Sequence, residues 1–229
     1  MLVAREIFIT GGTGYIGRPL IEMLLQRGHR VTALARPGSE GRLPPGCARL
    51  TGNALAAGTL SERVPASSTF VHLVGVAHPS PAKAREFRAI DQKALEASVE
   101  AARRAQVAHF VYLSVARPAP VMKVYQQVRT ECEELITASG LAATFVRPWY
   151  VLGPGHWWPY ALVPFYALAE LLPATRESAQ RLGLVTLRQM VTALGTAVEN
   201  PPARARIIDV PAIRAAEWEG YSSTRVVGA

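Results

Sequence analysis

Three features of this 229-residue chain predict a doubly wound α/β fold, a parallel sheet with helices on both faces and a smaller, irregular C-terminal part. Short apolar runs alternate with longer amphipathic stretches up to about residue 150. The runs are apolar throughout, as suits strands buried on both sides. A glycine-rich bend joins the first run to the first amphipathic stretch, as in sheets that bind ligands outside the carboxyl ends of their strands.

The elements follow in order. Glu6 to Thr10 reads as the first strand, Tyr15 to Arg27 as a helix, and Gly28-His29 as the turn into a second strand, Arg30 to Ala35. Ala48 to Gly52 is a short third strand, and Thr69 to Val74 an apolar, partly β-branched fourth. Ala84 to Ala105, rich in Ala, Glu, Lys and Arg, reads as one long helix. His109 to Ser114 is a fifth strand, Val121 to Ser139 a helix stopped at Gly140, and Ala143 to Arg147 a sixth strand. Beyond Pro148, Leu187 to Glu199 reads as a helix and Arg206 to Val210 as a strand that extends the sheet. The implied organisation is a nucleotide-holding domain over residues 1–150 and a small substrate-side region over 151–229 packed on it.

Composition excludes several function classes. With 49% hydrophobic and 18% charged residues, the chain can fill a core and does not resemble a disordered polymer. Its net charge of +8 comes from arginines spread along the chain, not from one basic element interleaved with aromatics, so no nucleic-acid partner is expected. Cys47 and Cys132 are far apart and belong to no metal-binding spacing, which implies no metal site and fits a reducing cytoplasm. The N-terminus lacks the pattern of a secretory signal, and prolines 159 and 164 interrupt the longest bulky uncharged stretch, so no transmembrane segment is expected. Monomer and homodimer both remain open.

The bend is Thr10-Gly11-Gly12-Thr13-Gly14-Tyr15-Ile16-Gly17. A strand that must turn sharply into a helix, with the helix amides facing a pyrophosphate, needs residues without side chains at the approach. Gly11, Thr13, Gly14, Tyr15, Ile16 and Gly17 are therefore predicted to hold a dinucleotide. At the end of the second strand, where an acid would bind the ribose hydroxyls of NAD, stands Arg36. Its planar, permanently charged fork suits a 2′-phosphate, so NADP(H) is preferred and NAD(H) kept as possible. The alternative is an ordinary surface arginine.

These residues, with several further segments, resemble the short-chain dehydrogenase/reductase superfamily, in its extended and atypical branches that include the epimerase/dehydratase-like Rossmann proteins. Gly52-Asn53-Ala54 stands where the family has its adenine-side Gly-Asp segment, and Val71-His72-Leu73-Val74-Gly75 resembles the strand that runs under the cofactor. Phe110 to Ser114 looks like the family's fifth strand with its terminal serine, and Arg147-Pro148 through Gly153-Pro154 like the segment closing over the nicotinamide. The resemblance covers residues 7 to about 155. It implies cofactor contacts at Asn53, Ala54, Leu73, Val74, Gly75, Ser114, Arg129, Pro148, Tyr150 and Val151.

It also implies a Tyr-x-x-x-Lys pair, and Tyr125-Gln126-Gln127-Val128-Arg129 occupies that place with arginine for lysine. A phenol that exchanges a proton near neutral pH needs a neighbouring cation, and i,i+4 spacing puts both groups on one helix face. Arginine supplies charge and donors but cannot relay a proton. Ser114 matches the first serine after the fifth strand, while Val115 and Ala116 follow where the catalytic hydroxyl more often sits. Tyr125, Arg129 and Ser114 are the catalytic candidates. His72 reads as a core residue, and His78 and His156 lie near loop ends above the sheet. No nucleophile elbow of a hydrolase is present.

Residues 149 to 166 hold 7 of the 17 aromatic residues, enough to mark a segment with a common purpose. It reads as a lid over an apolar substrate, as a protein or membrane-surface contact, or as packing under the C-terminal region. Two functions follow. One is an NADP(H)-dependent reductase of an apolar carbonyl or quinone-type small molecule, and the other a non-catalytic NAD(P)-binding redox-sensor or assembly module with a degraded Tyr-x-x-x-Lys pair.

Overall fold

The computed structural model describes residues 3–60, 62–155 and 158–216, without the side chains of residues 57, 158 and 159. The chain runs β1 (Glu6–Thr10), α1 (Gly17–Gln26), β2 (Arg30–Ala35), β3 (Ala48–Thr51), α2 (Ala57–Leu60) and β4 (Thr69–His72). Then come α3 (Ala84–Glu86), a π-helical turn (Phe87–Gln92) and α4 (Lys93–Arg104), which form one continuous helical stretch, followed by β5 (His109–Leu113), α5 (Lys123–Ala138) and β6 (Ala143–Val146). The remainder is β7 (Tyr150–Leu152), α6 (Val163–Leu171), α7 (Pro173–Arg181), β8 (Leu184–Thr186), α8 (Leu187–Glu199), β9 (Ala205–Ile208) and α9 (Val210–Ala215).

Seven parallel strands form one sheet in the order β3-β2-β1-β4-β5-β6-β9. The order reverses between β1 and β4, which opens a crevice at their carboxyl ends. The strands are apolar throughout because successive side chains enter different cores. Ile7 and Ile9 pack with Leu20, Ile21 and Leu24 of α1 and with Met190, Leu194 and Val198 of α8. Phe8 points the other way, into a cluster with Phe70, Phe110, Tyr112 and residues of α4 and α5. Each such fully buried side chain contributes roughly 1.5–3 kcal/mol.

The predicted strand near residue 206 is β9, at the sheet edge beside β6. The expected fourth strand stops at His72, where the chain turns toward Gly11. The expected long helix opens by one residue per turn at Phe87–Gln92, because the Asp91 carboxylate is engaged there by two other elements. In the segment that the sequence leaves irregular, β7 and β8 pair in a second small parallel sheet. No residue of α6 is fully buried, and Phe165 and Leu171 are 68% and 71% exposed. No helix among the described residues is long and apolar enough to cross a membrane.

Candidate active site

A cleft of about 450 Å³ lies at the β1/β4 switch point. Gly11, Gly14, Tyr15, Ile16 and Gly17 line one side, Leu73 and Gly75 the floor, and Ser114, Tyr125, Arg129, Pro148, Tyr150 and Val151 the other side. The structure thus brings together most of the sequence-predicted site residues, drawn from five separate segments. Thr13 and Val74 belong to the same bends but do not line this cleft. Arg36, Asn53 and Ala54 stand farther along the sheet, at the ends of β2 and β3, with the Gly52 amide donating to the Ala35 carbonyl at 2.9 Å. Arg36 is exposed and has no ion-pair partner among the described residues. Asn53 is exposed and accepts from the Leu55 amide at 3.0 Å.

The glycine bend has the form that a diphosphate requires. Gly11 has φ +81°, and a Cβ there would sit 2.7 Å from the Leu73 carbonyl carbon, so only glycine lets the bend lie against the end of β4. At Gly14 an added Cβ would meet only the Gly11 oxygen, at 3.2 Å. The space beside Gly14 is therefore open. No side chain caps the N-terminus of α1, which leaves its positive end to an anion. These features fit a dinucleotide, held by the bend amides and by the floor at Leu73 and Gly75.

The opposite side of the cleft is built differently. Arg129 is 5% exposed, and its guanidinium donates to the Tyr112 hydroxyl at 3.0 Å, the Leu113 carbonyl at 2.9 Å and Asp91 Oδ2 at 2.9 Å. Its Nε is buried without a partner. The same guanidinium carbon lies 5.1 Å from the Tyr125 ring centre and 5.5 Å from that of Tyr112. Asp91 is 1% exposed, and its other oxygen accepts from the Val76 amide at 2.7 Å. Burial pushes the Asp91 carboxyl up, against the pull of Arg129 and of the Val76 amide.

Tyr125 packs on Phe87, with ring centres 4.9 Å apart. Burial raises its phenol above the ordinary value, and Arg129 only partly offsets this. Arg129 thus pulls this phenol down, as the sequence reading gives it, and burial outweighs that pull. Ser114 is also engaged. Its hydroxyl donates to Glu133 Oε1 at 2.5 Å, and Glu133 in turn pairs with Arg147 and with Arg117, the latter at 2.8 Å. Glu133 thereby ties the loops after β5 and β6 to α5.

His72 is fully buried, with its Nδ1 3.0 Å from the hydroxyls of both Thr10 and Ser98. Burial, aided by the charge of Arg129, lowers it to about 3, so it remains a neutral core residue as the sequence suggests. His78 lines the cleft mouth with φ +50°, and His156 lies outside the described residues. The aromatic segment divides. Trp149 and Tyr150 line the cleft, Tyr166 packs on the core, and Tyr160 and Phe165 are exposed. Trp157 and the Trp158 side chain lie outside the described residues. Sequence reasoning missed Asp91 and Glu133. The available signals were the rarity of aspartate, with only two in the chain, and a glutamate one turn beyond Arg129.

The family described as NAD(P)H-binding matches residues 11–154, which span the glycine bend, the cleft floor and the Arg147–Pro154 segment. This chain belongs to the NAD(P)H-binding family. Among curated proteins, this family member is 24% identical to a ceramide reductase of Caulobacter vibrioides (strain NA1000 / CB15N) over 226 residues, 96% of this chain and 68% of that protein. It is 30% identical to the chloroplastic divinyl chlorophyllide a 8-vinyl-reductase of Zea mays over 143 residues, 58% of this chain. Here it spans about a third, 35%, of the plant enzyme.

Among solved structures, this NAD(P)H-binding protein shares its fold with the Bordetella bronchiseptica enzyme WbmH in complex with NAD+. The TM-score is 0.67 and the identity 20%, over 89% of this chain and 75% of that one. UDP-N-acetylglucosamine 4-epimerase from Bacillus cereus superposes with TM-score 0.67 at 16% identity, over 90% and 79%. These likenesses show a shared Rossmann-like fold, a parallel sheet flanked by helices.

Proposed function

We propose that this protein is an NADP(H)-dependent reductase of a small, apolar carbonyl or quinone-type substrate, working in the reducing cytoplasm where Cys47 and Cys132 remain thiols. The observation that carries the reading is the single cleft joining the bare glycine bend to Tyr125, Trp149 and Tyr150. Residues 1–150 hold the dinucleotide, with Arg36 taking the 2′-phosphate and Asn53 and Ala54 on the adenine side. Residues 151–229 complete the substrate side. The curated relatives named as reductases support the reaction class, and the name of the Caulobacter protein fits a substrate with a large apolar part.

When bound, the reduced nicotinamide supplies a hydride. Tyr125 donates its phenolic proton to the substrate oxygen, Arg129 holds its place through Asp91 and the Leu113 carbonyl, and Trp149 and Tyr150 exclude water from the apolar part of the substrate. Ser114 shapes the loop after β5, its hydroxyl being given to Glu133.

The same engagement of Ser114 and Arg129 within the protein favours a second reading, an NAD(P)-binding sensor or assembly module without turnover. Calorimetric titration with NADPH and NADH, followed by a screen of quinones and carbonyls with the cofactor that binds, separates the two. Turnover that is lost in Tyr125→Phe supports the reductase. Tight binding with no turnover across the panel supports the module.

A further inference from the structure

Three groups of the catalytic side come from separate places in the sequence and meet under the cleft: Asp91 from the π-helical turn, Arg129 from α5 and the Val76 amide from the loop after β4. Single π-helical turns inside α-helices are rare and fall frequently at functional sites. Arg129 is one of 22 arginines, but Asp91 is one of two aspartates, and the other caps α9 at the surface. A buried arginine without a counter-ion would be costly, and so would a buried aspartate without one. The 2.9 Å contact between them gives each its counter-ion and makes the pair neutral as a unit.

Among the described residues, the charged groups that act on Tyr125 are Arg129 and Asp91, and the titratable His78 lines the same cleft. Beside the phenol stand Arg129 and Cys132 on its own helix, Asp91 on the π-helical turn and the uncharged ring of Phe87. Burial keeps the Cys132 thiol neutral, and does the same for Tyr112 on β5, the other ring against Arg129. The protonation of Tyr125 is thus governed by two opposite charges and by desolvation. Arg129 pulls the phenol toward phenolate, and Asp91, 2.9 Å from that guanidinium, pushes the other way.

We propose that Asp91 is a positioning residue: by binding Arg129 it fixes the guanidinium beside Tyr125 and opposes its pull on the phenol, so that the buried Tyr125 keeps a proton it can give. With a reduced nicotinamide bound as the hydride source, Tyr125 would give its proton to the oxygen of the carbonyl that is reduced to an alcohol, and would regain a proton from solvent. The inference deepens the reductase reading and rests on it for the direction of reaction. Its electrostatic part concerns the free protein alone.

The test is titration of phenolate absorbance in the wild type, Asp91→Asn, Tyr125→Phe with Asp91→Asn, and Asp91→Asn with Arg129→Gln. Asparagine keeps an oxygen for the Val76 amide and removes the charge together with the acceptor that Arg129 uses. The expected result is a phenol in Asp91→Asn that loses its proton about tenfold more readily or better than Tyr125 in the wild type. That signal should disappear when Tyr125 is also replaced. The double variant Asp91→Asn with Arg129→Gln, which exchanges a neutral ion pair for a neutral amide pair, should restore the wild-type titration, and it carries the test if Asp91→Asn alone does not fold. An unchanged Tyr125 in Asp91→Asn, or a shifted Tyr125 in the neutral double variant, overturns the proposal. If instead the titrations come out as expected while Tyr125→Phe retains full turnover, the electrostatic role of Asp91 stands and the catalytic assignment of Tyr125 falls.

Discussion

The two sides of the cleft solve opposite problems. On the β1–α1 side the chain has removed side chains, so that backbone amides and a helix end face open space at Gly14. On the α5 side the buried charged groups among the described residues are already bound within the protein: Arg129 to Asp91, and Glu133 to Arg117 and Arg147. A site that must receive an anion keeps its donors uncommitted, because a partner within the protein would have to be displaced on binding. A site that must hold one protonation state commits its charges, because an uncompensated buried charge would shift the groups beside it.

The comparison can be broken most severely at the committed side. Asp91→Ala leaves the Arg129 guanidinium buried without its counter-ion and should cost about 3–5 kcal/mol of folding stability, read by denaturant unfolding. A loss near zero would mean that the pair is not needed to compensate Arg129. On the open side, the Cβ of Gly14→Val meets the Gly11 oxygen at a tight 3.2 Å, so a modest fall in melting temperature is expected. Dinucleotide binding should nevertheless fall about a hundredfold, roughly 2.8 kcal/mol, in calorimetry, because the valine occupies the space for the diphosphate. Retained affinity would place the ligand elsewhere.

Smaller effects sharpen the picture. Arg36→Ala should weaken NADPH by about 1–3 kcal/mol more than NADH, and an equal loss for both would leave Arg36 a surface arginine. For His72 the ordinary value is 6.5 and the folded value about 3, so the folded state keeps it neutral where the unfolded chain binds a proton. Stability should therefore fall as pH drops from about 6.5 toward 3, with His72 contributing about 1.4 kcal/mol per pH unit. His72→Asn should flatten that part of the pH dependence of unfolding.

Legibility differed from element to element for physical reasons. β1, β2 and α8 have the limits that the sequence suggests, because apolar periodicity and turn residues mark them locally. The π-helical turn was not legible: nothing in Phe87–Gln92 departs from helical composition, and the widening answers to Val76 and Arg129, which are distant in sequence. Nor was α6, whose residues, apolar apart from Glu170 and the Tyr166 hydroxyl, carry no period to separate an exposed face from a covered one. Within the site, Tyr125 and Arg129 could be singled out by their spacing. Their protonation behaviour could not, since it depends on Asp91 approaching from another helix.

The sequence by itself determined the parallel sheet, its alternation with helices and the glycine bend at the end of β1, because each follows from local sterics, backbone geometry and periodicity. Only the tertiary structure decided which charges meet. Arg129 sits 38 residues from Asp91 along the chain and 2.9 Å from it in space. Electrostatic neutrality at a buried site is a property of that three-dimensional proximity, which no local pattern of residues encodes.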